Sequence, residues 1–187
     1  MLAFNQQGLL PVGVHECDEV EFREFLVDSF PDSTTRAIIA TGFGVLRADA
    51  VEGGVSGTQW LNGSYVTNKT DPNDIDLVTF MDSAHLQALE GTPAEQFIVG
   101  ALAAGPRTPA HYCCDSYLVA VVPAGHPLQA SFEGARDYWR KWFGHMRTIL
   151  GPDGEPLPAR SKGILKMGLG DPRLQPLVAT WGGAAGV

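Results

Sequence analysis

The sequence predicts an α/β chain of the mixed, α+β kind: a small central mixed sheet with flanking helices. Two observations predict it. Segments of helical and of alternating apolar spacing follow one another as helices, strand, strand, helix, strand and helix, a mixture that suits layers of helix on sheet. The 187 residues are 44% apolar and 18% charged, which is enough to bury a core and too apolar for disorder.

Gly8-Leu9-Leu10-Pro11 reads as an extended arm packed on the domain. Asp18-Glu19-Val20-Glu21 reads as a capping box, with Phe22, Phe25, Leu26 and Phe30 at helical spacing behind it and Pro31 as the stop. Ser33 is placed to cap a second helix reaching about Arg47, with Ile38, Ile39, Phe43 and Leu46 on its apolar side. Residues 52–57 form a Gly-rich turn, and Thr58 to Leu61 the first strand. Asp71-Pro72-Asn73 is a tight turn that delivers Asp74 onto a second strand, about Ile75 to Phe80.

Ser83 to Glu90 reads as a short helix, and Thr92-Pro93-Ala94-Glu95 as the start of another, with Pro at the first helical position. Phe97, Ile98 and Leu102 are its apolar side, and Gly105-Pro106 ends it. Residues 111–122 read as the third strand, Ser131 to Leu150 as a long aromatic-rich helix, and Ser161 to Met167 as a final short strand. The Gly/Ala tail from Thr180 reads as frayed. Residues 1–122 are thus a core with its N-terminal arm and helices. Residues 123–187 are a C-terminal helix, short strand and tail packed on the same domain.

Composition narrows the setting. Residues 1–135 hold 5 Lys/Arg against 17 Asp/Glu, and residues 136–187 hold 8 against 4. The overall charge of −8 argues against broad nucleic-acid binding, while the basic C-terminal part leaves a local phosphate-facing surface open. Three cysteines with no CxxC spacing fit a reducing cytosol better than a disulfide framework or a zinc site. The first residues lack the basic and apolar regions of a secretory signal, and no apolar run is long enough to span a membrane. A cytoplasmic protein without membrane association is expected.

The chemistry concentrates in Gly63-Ser64 and, after nine intervening residues, Asp74-Ile75-Asp76. Side chains alternate along a strand, so Asp74 and Asp76 share a face, with Cα atoms roughly 6–7 Å apart, while Ile75 and Leu77 enter a core. Two carboxylates so placed repel unless a cation lies between them, and Mg²⁺ is the hard, oxygen-liganded cation that also grips phosphate. Gly63 allows close backbone approach, and Ser64 offers a hydroxyl and an N–H suited to phosphate. Asp115 lies in a Val-rich strand pattern, where Cys113, Asp115, Tyr117 and Val119 share one face; a carboxylate there is costly unless exposed or liganded.

This arrangement resembles the nucleotidyltransferase superfamily of the DNA polymerase β type. The motif of that superfamily is an apolar residue, Gly-Ser or Gly-Gly, a spacer of this length, and Asp-apolar-Asp, with a third carboxylate on a later strand. The match falls on Gly63, Ser64, Asp74 and Asp76, with Asp115 as the candidate third carboxylate. The opening Gly8 to Cys17 also resembles a group of small uncharacterised bacterial proteins carrying this motif, so the resemblance covers most of the chain.

The resemblance implies a nucleotidyltransferase-like fold. It implies Mg²⁺ (or Mn²⁺) held by Asp74, Asp76 and Asp115, with a nucleoside triphosphate as substrate. The transfer would place a nucleoside monophosphate on a hydroxyl of protein or RNA and release pyrophosphate, in a setting such as a bacterial toxin–antitoxin pair or defence. Gly63, Ser64 and the turn residue Lys69 would face the phosphates. The alternative is an inactive nucleotide-binding or interaction protein, an antitoxin or partner-binding module, with the aromatic C-terminal helix as its interface or as a homodimer contact.

The remaining candidates read plainly as structure. Arg136, Arg140 and Arg147 read as the wet side of an amphipathic helix, with Arg140, Lys141 and Arg147 tilting the acceptor toward RNA. Trp139 and Trp142 read as core, Lys162 and Lys166 either as facing an anionic ligand or, more plainly, as a solvated strand edge, and the five histidines show no ligand spacing.

Overall fold

The computed structural model describes residues 2–146, 153, 155 and 160–170. The fold is mixed α/β, a five-stranded mixed sheet with helices on both faces. The strands are β1 (Val14–Glu16), β2 (Gly57–Asn62), β3 (Ile75–Asp82), β4 (Cys114–Val121) and β5 (Ile164–Leu169). They lie in the order β1-β5-β2-β3-β4. The pairs β3–β4 and β1–β5 are parallel, and β2 is antiparallel to both β3 and β5. The last strand among the described residues, β5, therefore lies inside the sheet, between β1 and β2.

The helices are α1 (Glu19–Arg23), α2 (Arg36–Glu52), α3 (Ser83–Ala88), α4 (Pro93–Phe97) and α5 (Gln129–Phe143). The capping box at Asp18 and Glu21 is present, and α1 continues as a wider π turn over Glu24–Asp28. A second π turn, Ile98–Leu102, extends α4. Thr35, not Ser33, is the N-cap of α2; Ser33 stands two residues earlier and accepts the N–H of Arg36 at 3.1 Å, and the helix runs five residues past Arg47, to Glu52. Ile38 points to solvent at 64% exposure, and the apolar stripe of α2 is Ile39, Phe43, Leu46 and Ala50.

Three further expectations are corrected. His111 to Cys113 is not strand: Ala110–Tyr112 is a 3₁₀ turn, and Cys113 takes φ 54, so Cys113 precedes the sheet rather than sharing the Asp115 face. The final strand is Ile164–Leu169 rather than Ser161–Met167, and β1, which no expectation covers, has three residues, too few to show alternation. The long C-terminal helix ends at Phe143. Arg147 to Leu150, most of the 151–158 loop and the tail fall outside the described residues.

Each sheet face has its own core. Leu61, Leu77, Leu165 and Met167 point toward Leu26, Ile39, Phe43 and Leu46 of the N-terminal helices. Trp60, Val78, Phe80, Val119 and Val121 point the other way, under Phe132 and Phe143 of α5. Trp60 and Phe80 meet edge to face at 4.7 Å. Among the described residues no helix is long and apolar enough to cross a membrane.

Candidate metal and phosphate site

The alternation of Asp76 against Ile75 and Leu77 read from the sequence holds in the sheet. Ile75 and Leu77 enter the first core, while Val78 and Phe80 enter the second, so Asp76 lies on the α5 side. On β4, Cys114 enters the first core and Val119 the second, which puts Asp115 on the same side as Asp76. The register then aligns them: Asp76 is the Cα partner of Asp115 across the parallel pair and of Asn62 across the antiparallel pair. Asn62, Asp76 and Asp115 form one row at one end of the sheet, with neighbours about 5 Å apart.

Asp74 stands one residue before β3, whose start is tied to β4 by Ile75 N–H donating to the Cys113 carbonyl at 3.1 Å. All three aspartates are half-buried. Burial pushes the neighbouring Cys114 thiol well above its ordinary value, and Cys113, Asp74, Asp115 and Asp76 add to the rise. Their donors are all carboxylate oxygens, the chemistry that suits Mg²⁺ or Mn²⁺. Among the described residues no three His, Cys, Asp or Glu side chains are gathered closely enough to hold an ion as they stand.

Gly63 follows β2 with φ +80, a conformation that glycine adopts freely. A Cβ added there would collide with Asp76 Oδ2, so the turn lies directly against that carboxylate. Ser64 is half-exposed, and its carbonyl accepts the Thr67 hydroxyl at 2.7 Å. Lys69 is exposed, and its structural part is played by its backbone: its carbonyl accepts from Arg36 Nε at 3.2 Å and Nη2 at 2.7 Å.

Arg36 escaped the sequence reading and organises the loop joining the two halves of the motif. It is fully buried. Its guanidinium also donates to the carbonyls of Leu26 (2.9 Å), Tyr65 (3.0 Å) and Thr67 (2.6 Å) and lies 3.7 Å over the Phe30 ring. Burial lowers its pKa, with Tyr65 and Asp71 opposing. The signal was available in the spacing: 36, 39, 43, 46 and 50 form one apolar helical stripe, and an arginine on it must find buried acceptors.

Two further ties hold the loop. Asp71 accepts from Thr34 N–H at 2.7 Å and from the Ser33 and Thr34 hydroxyls, which hold its carboxyl below the ordinary range. Asn68 N–H donates to the Gly8 carbonyl at 2.8 Å, so the N-terminal arm clasps the loop from outside.

Lys162 and Lys166 are not a solvated edge. Lys162 is 4% exposed and donates from Nζ to the Gly63 carbonyl at 2.9 Å. Lys166 pairs with Glu16 at 2.8 Å. Trp139 packs on Tyr117 at 4.6 Å, as core, but Trp142 is 54% exposed and stacks on the exposed Tyr138 at 6.1 Å. Arg136 pairs with Asp137, Arg140 and Lys141 are exposed, and Arg147 lies outside the described residues.

A model described as a family of unknown function (DUF6932) matches residues 2–168. No curated protein and no solved structure matches the chain.

Proposed function

The chain belongs to this family of unknown function, whose extent encloses Gly63, Ser64, Asp74, Asp76 and Asp115, and from that premise we propose that it is a Mg²⁺-dependent nucleotidyltransferase. The observation that carries the reading is the alignment of Asp76 with Asp115 beside a glycine turn that abuts the Asp76 carboxylate. A structural pair of aspartates gains nothing from that register, because like charges directly opposite one another destabilise a sheet.

In this reading Asp74, Asp76 and Asp115 hold the cation. When bound, Mg²⁺ supplies charge stabilisation at the phosphoryl oxygens. Gly63 brings the backbone close to the triphosphate, and Ser64 offers its N–H and hydroxyl to the phosphates, with Lys69 free to reach them from the loop. The acceptor is a hydroxyl of protein or RNA. Its oxygen bonds to the α-phosphorus, the bond to the bridging oxygen breaks, and the proton and pyrophosphate leave. Arg36 and the N-terminal arm keep the loop in place through the cycle.

A second reading rests on a different observation. Tyr138 and Trp142 present stacked rings to solvent on α5, a surface suited to a partner chain or a second copy. In that reading the protein binds nucleotide and partner without transfer.

The test is pyrophosphate release from each of the four ribonucleoside triphosphates with Mg²⁺ or Mn²⁺, with Asp74→Asn and Asp76→Asn as controls. Release that falls at least about 100-fold in both variants, with label appearing on protein or RNA, supports transfer. Nucleotide binding without release favours the second reading. Release that survives either substitution overturns the site.

A further inference from the structure

We propose that Lys162 is a positioning residue of this site, one that latches the Gly63–Ser64 turn against Asp76; the proposal rests on the nucleotidyltransferase reading. A buried ammonium is costly unless its donors are used. Here Nζ donates to the Gly63 carbonyl, while the Gly63 Cα lies against the Asp76 carboxylate. One glycine is thus gripped from two directions, by a cation on its carbonyl and by a carboxylate on its α-carbon. Burial lowers the ammonium pKa to about 8, and the Asp76 charge opposes the fall, in keeping with this closeness.

The latch also aims a donor. In a trans peptide unit the C=O and the following N–H point in opposite directions. Holding the Gly63 carbonyl toward Lys162 therefore turns the Ser64 N–H away from the lysine. That N–H is the one the proposed function assigns to phosphate. Without the latch the Gly63 peptide plane can rotate, because glycine tolerates many orientations.

The base of the latch is itself held. Lys162 N–H donates to the Gly144 carbonyl at 2.9 Å, just after α5. Gly163 N–H donates to the Leu10 carbonyl at 3.0 Å, and the Gly163 carbonyl accepts from Asn62 Nδ2 at 3.1 Å. A Cβ on Gly163 would strike the Pro11 carbonyl and the His15 ring, so the arm packs tightly there. Three distant segments therefore fix where the ammonium stands.

The experiment compares wild type with Lys162→Met, which keeps the methylene stem and loses the donors, and with Lys162→Arg, which keeps a cation. Two readouts are taken: amide exchange of a peptide spanning 62–69, with one from α2 as control, and binding of Mn²⁺ alone and of Mn²⁺ with ATP, GTP, CTP or UTP. The latch predicts at least ten-fold faster exchange in 62–69 for Lys162→Met, with α2 unchanged. It also predicts at least ten-fold weaker nucleotide binding, Mn²⁺ alone within two-fold of wild type, and recovery in Lys162→Arg. Unchanged exchange, or Lys162→Arg no better than Lys162→Met, overturns it. If wild type binds no nucleotide, the proposed function fails while the exchange comparison still decides the latch. Should Lys162→Met not fold, Lys162→Ala, which also lacks the donors, carries the same comparison.

Discussion

Asp76 and Asp115 are register partners on parallel neighbouring strands, with their side chains on the same face of the sheet. Opposed like charges cost roughly 0.2–1 kcal/mol. Asp115→Asn is therefore expected to raise metal-free stability by about that amount while lowering pyrophosphate release at least about 100-fold. Urea unfolding beside a release assay reads both. A variant that is less stable than wild type would show that the pair carries no repulsion to relieve.

Arg36 serves four backbone carbonyls from a fully buried position. Arg36→Met leaves those acceptors without their donor, at an expected cost of about 3–5 kcal/mol. Arg36→Lys should recover less than half, because an ammonium cannot reproduce the guanidinium fork. Equilibrium unfolding decides it: a lysine variant within about 0.5 kcal/mol of wild type would mean that charge rather than fork geometry holds the loop.

Gly63→Ala meets two obstacles, φ +80 and the Asp76 carboxylate. The expected outcome is a loss of about 1–3 kcal/mol together with weaker Mn²⁺ binding, since the carboxylate must move to admit the methyl group. Mn²⁺ titration followed by electron paramagnetic resonance tests the second part. Affinity equal to wild type would place Asp76 outside the cation site.

Two thiols give the fold a limit at high pH. Burial pushes Cys17 up to about 12 from an ordinary value of 9.0, with Glu21 and Asp18 adding, and it raises Cys114 further. Both acids keep their protons in the folded chain at a pH where the unfolded chain has lost them. The folded state therefore binds more protons above pH 9, and stability falls as pH rises from there toward 12. Each thiol contributes a slope of about 1.4 kcal/mol per pH unit. Cys17→Ala should remove one such contribution, shown by unfolding midpoints measured between pH 8 and pH 11. An unchanged slope would mean that the Cys17 thiol ionises as readily in the folded chain as in the unfolded one.

Strand parity was legible because it is local. Alternation set Asp76 opposite Ile75 and Leu77, and Asp115 on the face of Tyr117 and Val119, but not the two carboxylates on one side of the sheet. The turn at Gly63 was legible for the same reason. Pairing partners were not, since register depends on contacts between residues far apart in sequence. Nothing near Ser161–Met167 says that this segment enters the sheet between β1 and β2. Arg36 was missed and the burial of Lys162 was not read, because each fills a place that periodicity assigns to apolar or solvated residues, and their partners are backbone carbonyls, which every sequence carries and none advertises. Ile38 and Trp142 erred the other way: an apolar residue beside a core stripe is easily counted into it.

The place of β5 in the sheet has a consequence for how the protein is made. A ribosome delivers Asp115 about fifty residues before Leu169, which at about 5–20 residues per second leaves a gap of several seconds. Through that interval β2 and β1 lack the strand that joins them, and β2 presents an open edge of the kind that recruits foreign strands. All three aspartates are already synthesised, yet Lys162, proposed to steady the turn beside them, is not. Translation that stops between Asp115 and Lys162 therefore releases a chain that carries all three candidate carboxylates without the lysine proposed to hold the turn beside them.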